Sequence, residues 1–205
     1  MPAVILVACL VPVAYLVGTF PSAGLVARTQ GRDVLHEGSG NPGASNVFRL
    51  LGWKAGLVVL LLDLGKGAGA AGVGAAIDGH RGAFILGVAA VIGHVFPVTR
   101  RFKGGRGVAT AAGVMAVIFP LETAGLAVVW FGIARGLRKA SVASIVCAIA
   151  FPVIVAARDG SALDLAVTAG LAALVVARHL ANVRRLVRGQ ELGLDDEDDG
   201  GSVAA

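Results

Sequence analysis

Seven apolar windows, separated by short loops, constrain this chain more than any other feature. They fall at about 3–27, 54–77, 82–98, 107–119, 121–135, 141–157 and 163–180. A helix needs about 20 apolar residues to cross the ~30 Å hydrocarbon core of a bilayer. Within that core only helices and closed barrels satisfy their own backbone polar groups. The windows therefore predict an all-α integral membrane fold, a bundle of seven transmembrane helices in one polytopic domain over residues 1–193. Several windows are short, which is tolerated where a segment lines a polar cavity. The pair flanking Pro120 reads equally as one bent segment of about 28 residues.

Composition excludes the soluble alternative. The chain is 56% hydrophobic and 15% charged, whereas soluble domains carry roughly 25% charge. Glycine supplies 30 of the 205 residues, about twice the usual ~7%, as expected where membrane helices pack closely. Met1-Pro2-Ala3-Val4 offers no basic leader and the first window ends at Arg28, so it reads as a retained span. Cys9 and Cys147 both lie in apolar windows and are expected to be buried as small hydrophobes, without a disulfide or metal framework.

Lys and Arg set the orientation. With seven spans, alternate loops hold Arg28, Arg32, Arg49 and Lys54; Arg100, Arg101, Lys103 and Arg106; Arg135, Arg138 and Lys139; and Arg178, Arg184, Arg185 and Arg188. The opposite side holds only Arg81 and Arg158. The bias of 15 to 2 predicts a cytoplasmic location for the first set. Asp195, Asp196, Glu197, Asp198 and Asp199 precede Gly-Gly-Ser, so residues 194–205 are expected to form an acidic, disordered cytoplasmic tail.

Two of the cytoplasmic loops are glycine-rich. The first runs Gly38-Ser39-Gly40-Asn41-Pro42-Gly43-Ala44-Ser45-Asn46, with Arg49 just beyond. Its glycines let backbone N–H groups converge, Ser39, Asn41 and Asn46 add side-chain donors, and Arg49 adds a planar cationic fork. The second, Phe102-Lys103-Gly104-Gly105-Arg106-Gly107-Val108-Ala109-Thr110, opens a helix. Unpaired N–H groups there, beside Lys103 and Arg106, suit an anion. It lacks the Walker A spacing, so ATP and GTP are not implied. Two such loops predict two phosphorylated ligands that meet.

Further polar residues lie within or beside the spans. Asp63 and Lys66, three apart, can pair on one helical face, as a structural ion pair or with Lys66 reaching a ligand. Ser141 and Ser144 stand at the mouth of the sixth span, either as helix caps or as site residues. His179, Asn182 and Arg185 fall three apart on one expected helical face, followed by Glu191. That face could also simply touch anionic headgroups. His36 and His80 are expected to be bystanders. The chain has no His-x-x-x-x-Asp pair, no Gly-x-Ser-x-Gly elbow and no Asp-rich metal motif.

Across about residues 10–193 these motifs resemble the bacterial acyl-phosphate glycerol-3-phosphate acyltransferases, the PlsY family. The resemblance rests on Gly38–Asn46 with Arg49, on Gly93–Thr110, on His179 through Asn182 to Gly189 and Glu191, and on Asp63-x-x-Lys66-Gly67. It implies a multi-pass enzyme of the bacterial cytoplasmic (inner) membrane with its active site facing the cytoplasm. A fatty acyl group would move from acyl phosphate to the 1-hydroxyl of glycerol 3-phosphate, the first step of phospholipid synthesis, giving lysophosphatidate and phosphate. The resemblance assigns catalysis to Ser39, Arg49, Lys103, His179, Asn182 and Glu191. It assigns substrate binding to Gly40, Asn41, Asn46, Lys66, Gly104, Gly105, Arg106, Gly107, Ser141 and Ser144. No cofactor or metal is implied. The partners implied are the two substrates and the lipid bilayer, without nucleic acid and without an obligate protein partner. The chain departs from the family where Thr is common at Ser45, Lys at Arg106 and a basic residue at Leu35.

The residue-level reading fits that chemistry. An acyl phosphate carries its own good leaving group, so the protein must chiefly hold two anions together and align hydroxyl with carbonyl. The released phosphate can take the hydroxyl proton, which leaves His179, the best-placed candidate base, to orient phosphate as a donor. A transporter of a phosphorylated metabolite would also use basic sites in the membrane, but it would ordinarily carry repeat symmetry and polar residues on both sides. A lipid-headgroup-binding scaffold is the third possibility, and a product assay separates all three.

Overall fold

The computed structural model describes residues 2–194, which form eight α-helices joined by loops, with no strand among them. They are α1 (Ala3–Gly18), α2 (Ser22–Arg28), α3 (Ala44–Val95), α4 (Val108–Ile118), α5 (Pro120–Leu137), α6 (Ala140–Ala157), α7 (Ala162–Arg178) and α8 (Leu180–Val187). The acidic run at 195–199 lies outside the described residues.

At about 1.5 Å per residue, a straight α3 of 52 residues would be about 78 Å long. It is not straight. Gly52 (φ 81°) and Asp78–Gly79 (Gly79 φ 55°) break it into three limbs. Across the second break the backbones of Gly74 and Gly82 touch so closely that a methyl on either would overlap the other's carbonyl oxygen. The middle and last limbs therefore form a hairpin. Seven apolar helical limbs result: α1, these two limbs of α3, α4, α5, α6 and α7. They overlap the sequence windows, although the first window, 3–27, divides into α1 and α2. The segment around Pro120 is two helices, because Phe119 leaves helical geometry (φ −132°, ψ 67°) and α5 restarts at Pro120.

Three stretches, Ala3–Arg28, Ala44–Arg100 and Ala140–Ala157, are long and apolar enough to cross a bilayer by themselves, and α7 with α8 makes a fourth, bent by 52°. Large apolar side chains face outward on the limbs, with Leu121 and Val128 of α5 both 74% exposed. This is the inside-out distribution that lipid contact requires.

The interior is built on glycine. The α3 helix packs chiefly on α1 and α4, while α6 packs on α5 and α7. A methyl on Gly67 would overlap the Thr110 carbonyl, and one on Gly113 the Leu64 carbonyl, so α3 and α4 meet backbone to backbone. Gly18 lies against the Ala90 carbonyl and Gly93 against that of Tyr15, which joins α1 to the last limb of α3 in the same way. Phe84, Val91, Val95 and Val114 fill the space between.

Three expectations need correction. The helical face expected through His179 is interrupted: α7 ends there and α8 turns away. The turn places Arg184 and Arg185, too polar to continue in an apolar span, on a short separate helix that Arg188 caps. Cys9 is exposed on the outer side of α1, and Cys147 is only part-buried. Neither Ser141 nor Ser144 caps α6, whose N-cap is Lys139 with no side-chain bond.

The turns gather into two ends. At the end away from the glycine-rich loops, Ser161 and Asp164 form a reciprocal capping box on α7, His80 binds Asp164, and Arg158 pairs with Glu122. All other long loops gather at the opposite end.

The α3–α4 seam should be intolerant of a single methylene. Gly67→Ala is expected to lower stability by about 1–3 kcal/mol through overpacking. Gly65→Ala, two residues away with nothing within 4 Å of the added methyl, should be neutral or slightly stabilising. Thermal unfolding in detergent, read side by side, checks the contrast; equal midpoints for the two variants would remove the close approach.

Candidate active site

A cavity of about 490 Å³ opens at the loop end, within the size range of small-ligand sites. Its walls come from three separate parts of the chain. Ser39, Gly40 and Asn41 come from the first loop, Lys103, Gly104 and Arg106 from the second, and Arg178, Asn182 and Arg185 from the α7–α8 corner. Among the described residues, four cations line it and no carboxylate does.

The first loop is shaped by Asn46, which is buried. Its Oδ1 accepts from the Ser39 N–H at 2.8 Å and from Arg49 Nη1 at 3.3 Å. Its Nδ2 donates to the Val34 and Glu37 carbonyls at 3.2 and 3.1 Å. The amide is thus spent on the loop itself. Gly38 (φ 60°) lies against Asn46 Oδ1, where a side chain would collide. Arg49 Nε donates to the Gly193 carbonyl at 2.9 Å, tying this loop to the C-terminal segment.

The second loop has Arg101, Phe102 and Gly107 at positive φ (51°, 62° and 84°), a strained path that outside support must hold. The Gly105 N–H donates to the His94 carbonyl at 3.2 Å, and the Gly104 carbonyl accepts from Arg178 Nη2 at 3.1 Å. Among the described residues the N–H groups of Gly104, Arg106 and Gly107 have no such partner. Together with the start of α4 they are the donors available to an anion.

Charge in the cavity is only partly compensated, through the Arg185–Glu191 pair. Burial pushes the Arg106 guanidinium down to about 10; Glu191 opposes that shift, while Arg185, Arg49 and Arg178 add to it. Arg106 still carries its charge at neutral pH. The like charges around it would relax on binding an anion.

Glu191 does not line the cavity; it braces two residues that do. Its Oε1 accepts from Asn182 Nδ2 at 2.6 Å and its Oε2 from Arg185 Nε at 2.9 Å. Ser141 Oγ stands beside the carboxylate, without the alignment of a full hydrogen bond. Burial alone would raise the carboxyl's proton affinity, but Asn182, Ser141 and Arg185 together hold it below the usual carboxylate range. Lys139 Nζ bonds the Glu191 carbonyl.

The remaining predicted residues are not on the wall. His179 is buried at the α7–α8 corner, and its Nδ1 donates to the Val175 carbonyl at 2.8 Å. A neutral ring so placed keeps Nε2 as an acceptor, whereas the sequence reading expects a donor. Ser144 Oγ accepts from Trp130 Nε1 at 3.0 Å and donates to the Ala140 carbonyl at 2.8 Å. Lys66 Nζ pairs with Asp63 at 2.8 Å, as its spacing predicts, and donates to the Phe20 carbonyl at 3.3 Å.

The site roles expected from sequence did not include Arg178, Arg185 and His36, all on the cavity wall. The signal for the first two was present: seven residues apart, they belong to the basic cluster around His179. His36, held by Asp33 at 2.8 Å, carried no signal beyond that i,i+3 pairing.

A helical bundle with an apolar exterior and a basic cavity at one end defines a membrane protein equipped for anionic ligands. The chain belongs to the glycerol-3-phosphate acyltransferase family, whose model matches residues 8–189. It is 40% identical over 184 residues to the Geobacter sulfurreducens glycerol-3-phosphate acyltransferase, covering 89% of this chain and 94% of that one. It is 41% identical over 180 residues to the Bacillus cytotoxicus enzyme, covering 87% and 90%. Two crystal structures of PlsY (YgiH), an integral membrane glycerol 3-phosphate acyltransferase, superpose on it. The glycerol 3-phosphate form gives a TM-score of 0.87 and the lysophosphatidic acid form 0.85. Each is 36% identical and covers 91% of this chain and 94% of that one.

The Glu191 brace makes a stability prediction. Glu191→Ala strands Asn182 and Arg185 and should cost about 1.5–3 kcal/mol, lowering the detergent melting temperature. Glu191→Gln keeps an acceptor for Asn182 and should fall between. A carboxyl whose proton affinity is lowered by folding stabilises the fold fully above its unfolded value of about 4.5, and the contribution disappears as pH falls through the lower folded value. The gap between wild type and Glu191→Gln should therefore close in acid. A melting temperature for Glu191→Ala equal to wild type at neutral pH would dismiss the brace.

Proposed function

We propose that this protein transfers a fatty acyl group from acyl phosphate to the 1-hydroxyl of glycerol 3-phosphate, releasing lysophosphatidate and phosphate. The observation that carries the proposal is the basic cavity in which both glycine-rich loops and the α7–α8 corner meet around four cations. Family membership supports it, as do the glycerol 3-phosphate and lysophosphatidic acid forms of the similar PlsY.

In this reading Lys103, Arg106, Arg178 and Arg185 offset the repulsion between two phosphate-bearing substrates. The amides of Gly104, Arg106 and Gly107 fix one phosphate. Ser39, Gly40 and Asn41 bound the other side. The acceptor oxygen bonds to the acyl carbon, the acyl carbon–phosphate oxygen bond breaks, and the hydroxyl proton passes to the departing phosphate. His179, buried behind the wall, helps to hold the α7–α8 corner through its bond to the Val175 carbonyl. Asn46, Arg49, Glu191 and Ser141 act by holding the loops and α8; Gly105, Lys66 and Ser144 act from behind the wall. Fixed donors around the departing phosphate lower the barrier because they need no reorganisation as charge shifts onto it.

Membranes containing the protein should release lysophosphatidate and inorganic phosphate from glycerol 3-phosphate and acyl phosphate, without added metal, acyl-CoA or acyl carrier protein. Thin-layer separation of labelled product measures it. Turnover with acyl-CoA and none with acyl phosphate would overturn the donor assignment. Uptake of glycerol 3-phosphate into proteoliposomes without product would favour a transporter.

We also propose that all seven apolar limbs cross the bacterial inner membrane, with the loop end in the cytoplasm. The 15 to 2 distribution of Lys and Arg supports this. In a background lacking Cys9 and Cys147, Asp159→Cys should react with a membrane-impermeant thiol reagent on intact cells, and Gln190→Cys should react only after lysis. Both residues are exposed. The reverse labelling pattern would invert the topology.

A further inference from the structure

Gly105 is an unusual glycine. Its φ lies outside the left-handed region, so its backbone admits a side chain, unlike Gly107 at φ 84°. The obstacle is a single group. The three atoms nearest to a methyl on Gly105 are Nε2, Cε1 and Cδ2 of His94, with Nε2 in overlap. A methyl on the preceding Gly104 would instead strike the His94 and Val95 carbonyls. The Gly104–Gly105 pair is thus moulded onto the last turn of α3 and held there by the Gly105 N–H bond to the His94 carbonyl.

The imidazole that does the moulding is itself held from behind. His94 is buried, and its Nδ1 has no hydrogen-bond partner but stands 3.7 Å from Asp63 Oδ1. The same oxygen accepts from Ser22 Oγ at 2.8 Å and pairs with Lys66 Nζ at 2.8 Å. Asp63 therefore ties α2 and the middle limb of α3 to the histidine on the last limb. On its far side the dipeptide is gripped by Arg178, which lines the cavity. None of His94, Asp63 and Lys66 lines the cavity.

We infer that His94 is a positioning residue for the second glycine-rich loop, fixing through Gly105 where Lys103 and the Gly104 amide stand in the cavity, and that the Asp63–Lys66 pair holds His94 in place. This rests on the acyltransferase reading of the cavity. It also assigns the glycine at 105 to the histidine at 94 rather than to backbone conformation. Positioning of a phosphate cradle acts on ground-state binding, so its loss should appear in KM more than in kcat.

The test is a double-mutant cycle on the purified full-length chain. Gly105→Ala alone should raise KM for one of the two phosphorylated substrates at least tenfold. His94→Ala alone should raise the same KM severalfold. In the His94→Ala background the ring is gone, so adding Gly105→Ala should change KM less than twofold. Asp63→Asn, which keeps size and removes charge, should raise that KM in the same direction. Equal effects of Gly105→Ala in both backgrounds, or an Asp63→Asn KM equal to wild type, would overturn the inference. Melting temperatures of the four cycle proteins give a second arm that needs no turnover: the loss caused by Gly105→Ala should be suppressed by His94→Ala, and additive losses would count against the inference. An inactive wild-type chain that still shows suppression would fail the acyltransferase reading alone.

Discussion

Close backbone contact between helices is the constraint on which the rest of this molecule depends. In lipid there is little hydrophobic drive to bring helices together, so packing contact must supply the association. Gly67 against Thr110, Gly113 against Leu64, Gly18 against Ala90 and Gly93 against Tyr15 bring α1, α3 and α4 to backbone distance. Two of those contacts flank functional features. Gly67 adjoins Lys66, and Gly93 adjoins His94. Fixing the glycines fixes the height at which the buried charges sit and the point at which α3 releases the chain into the second loop.

Charge is divided between the two ends with different logic. At the far end His80 pairs with Asp164 and Arg158 with Glu122, and Ser161 also bonds Asp164. At the loop end Lys103, Arg106, Arg178 and Arg185 share a cavity with no acid on its wall among the described residues, and Glu191 pairs with Arg185 from behind it. Balanced pairs suit a structural role. An unbalanced cluster stores repulsion that an anionic ligand relieves. The contrast separates the functional end from the structural end without reference to any relative.

Much of this was legible in the sequence. The all-helical fold was legible because lipid-facing and packing positions are both apolar, so hydropathy sees them alike; the break between α1 and α2 inside the first window was not. The Asp63–Lys66 pair followed from its spacing. What escaped was whatever depended on a partner distant in the chain. Asn46 reads as a ligand donor until the Val34, Glu37 and Ser39 backbone groups that use its amide are brought around it. Gly105 and Gly107 look equivalent in a glycine-rich run, yet one answers to a histidine eleven positions earlier and the other to its own φ. The end of α7 escaped because the apolar window runs through His179, and only the polarity of α8 explains the turn.

Beyond the Glu191 carboxylate, backbone contacts also hold residues 188–194, after α8. Arg49 binds the Gly193 carbonyl, Lys139 the Glu191 carbonyl, and the Leu194 N–H donates to the Arg138 carbonyl. Those residues leave the ribosome after every apolar limb has been made. The first loop, synthesised some 150 residues earlier, therefore waits for them before Arg49 has its anchor and Asn182 its acceptor. Site assembly becomes the closing event of biogenesis, so a chain stalled or clipped before residue 191 could insert in the membrane yet lack an ordered cavity.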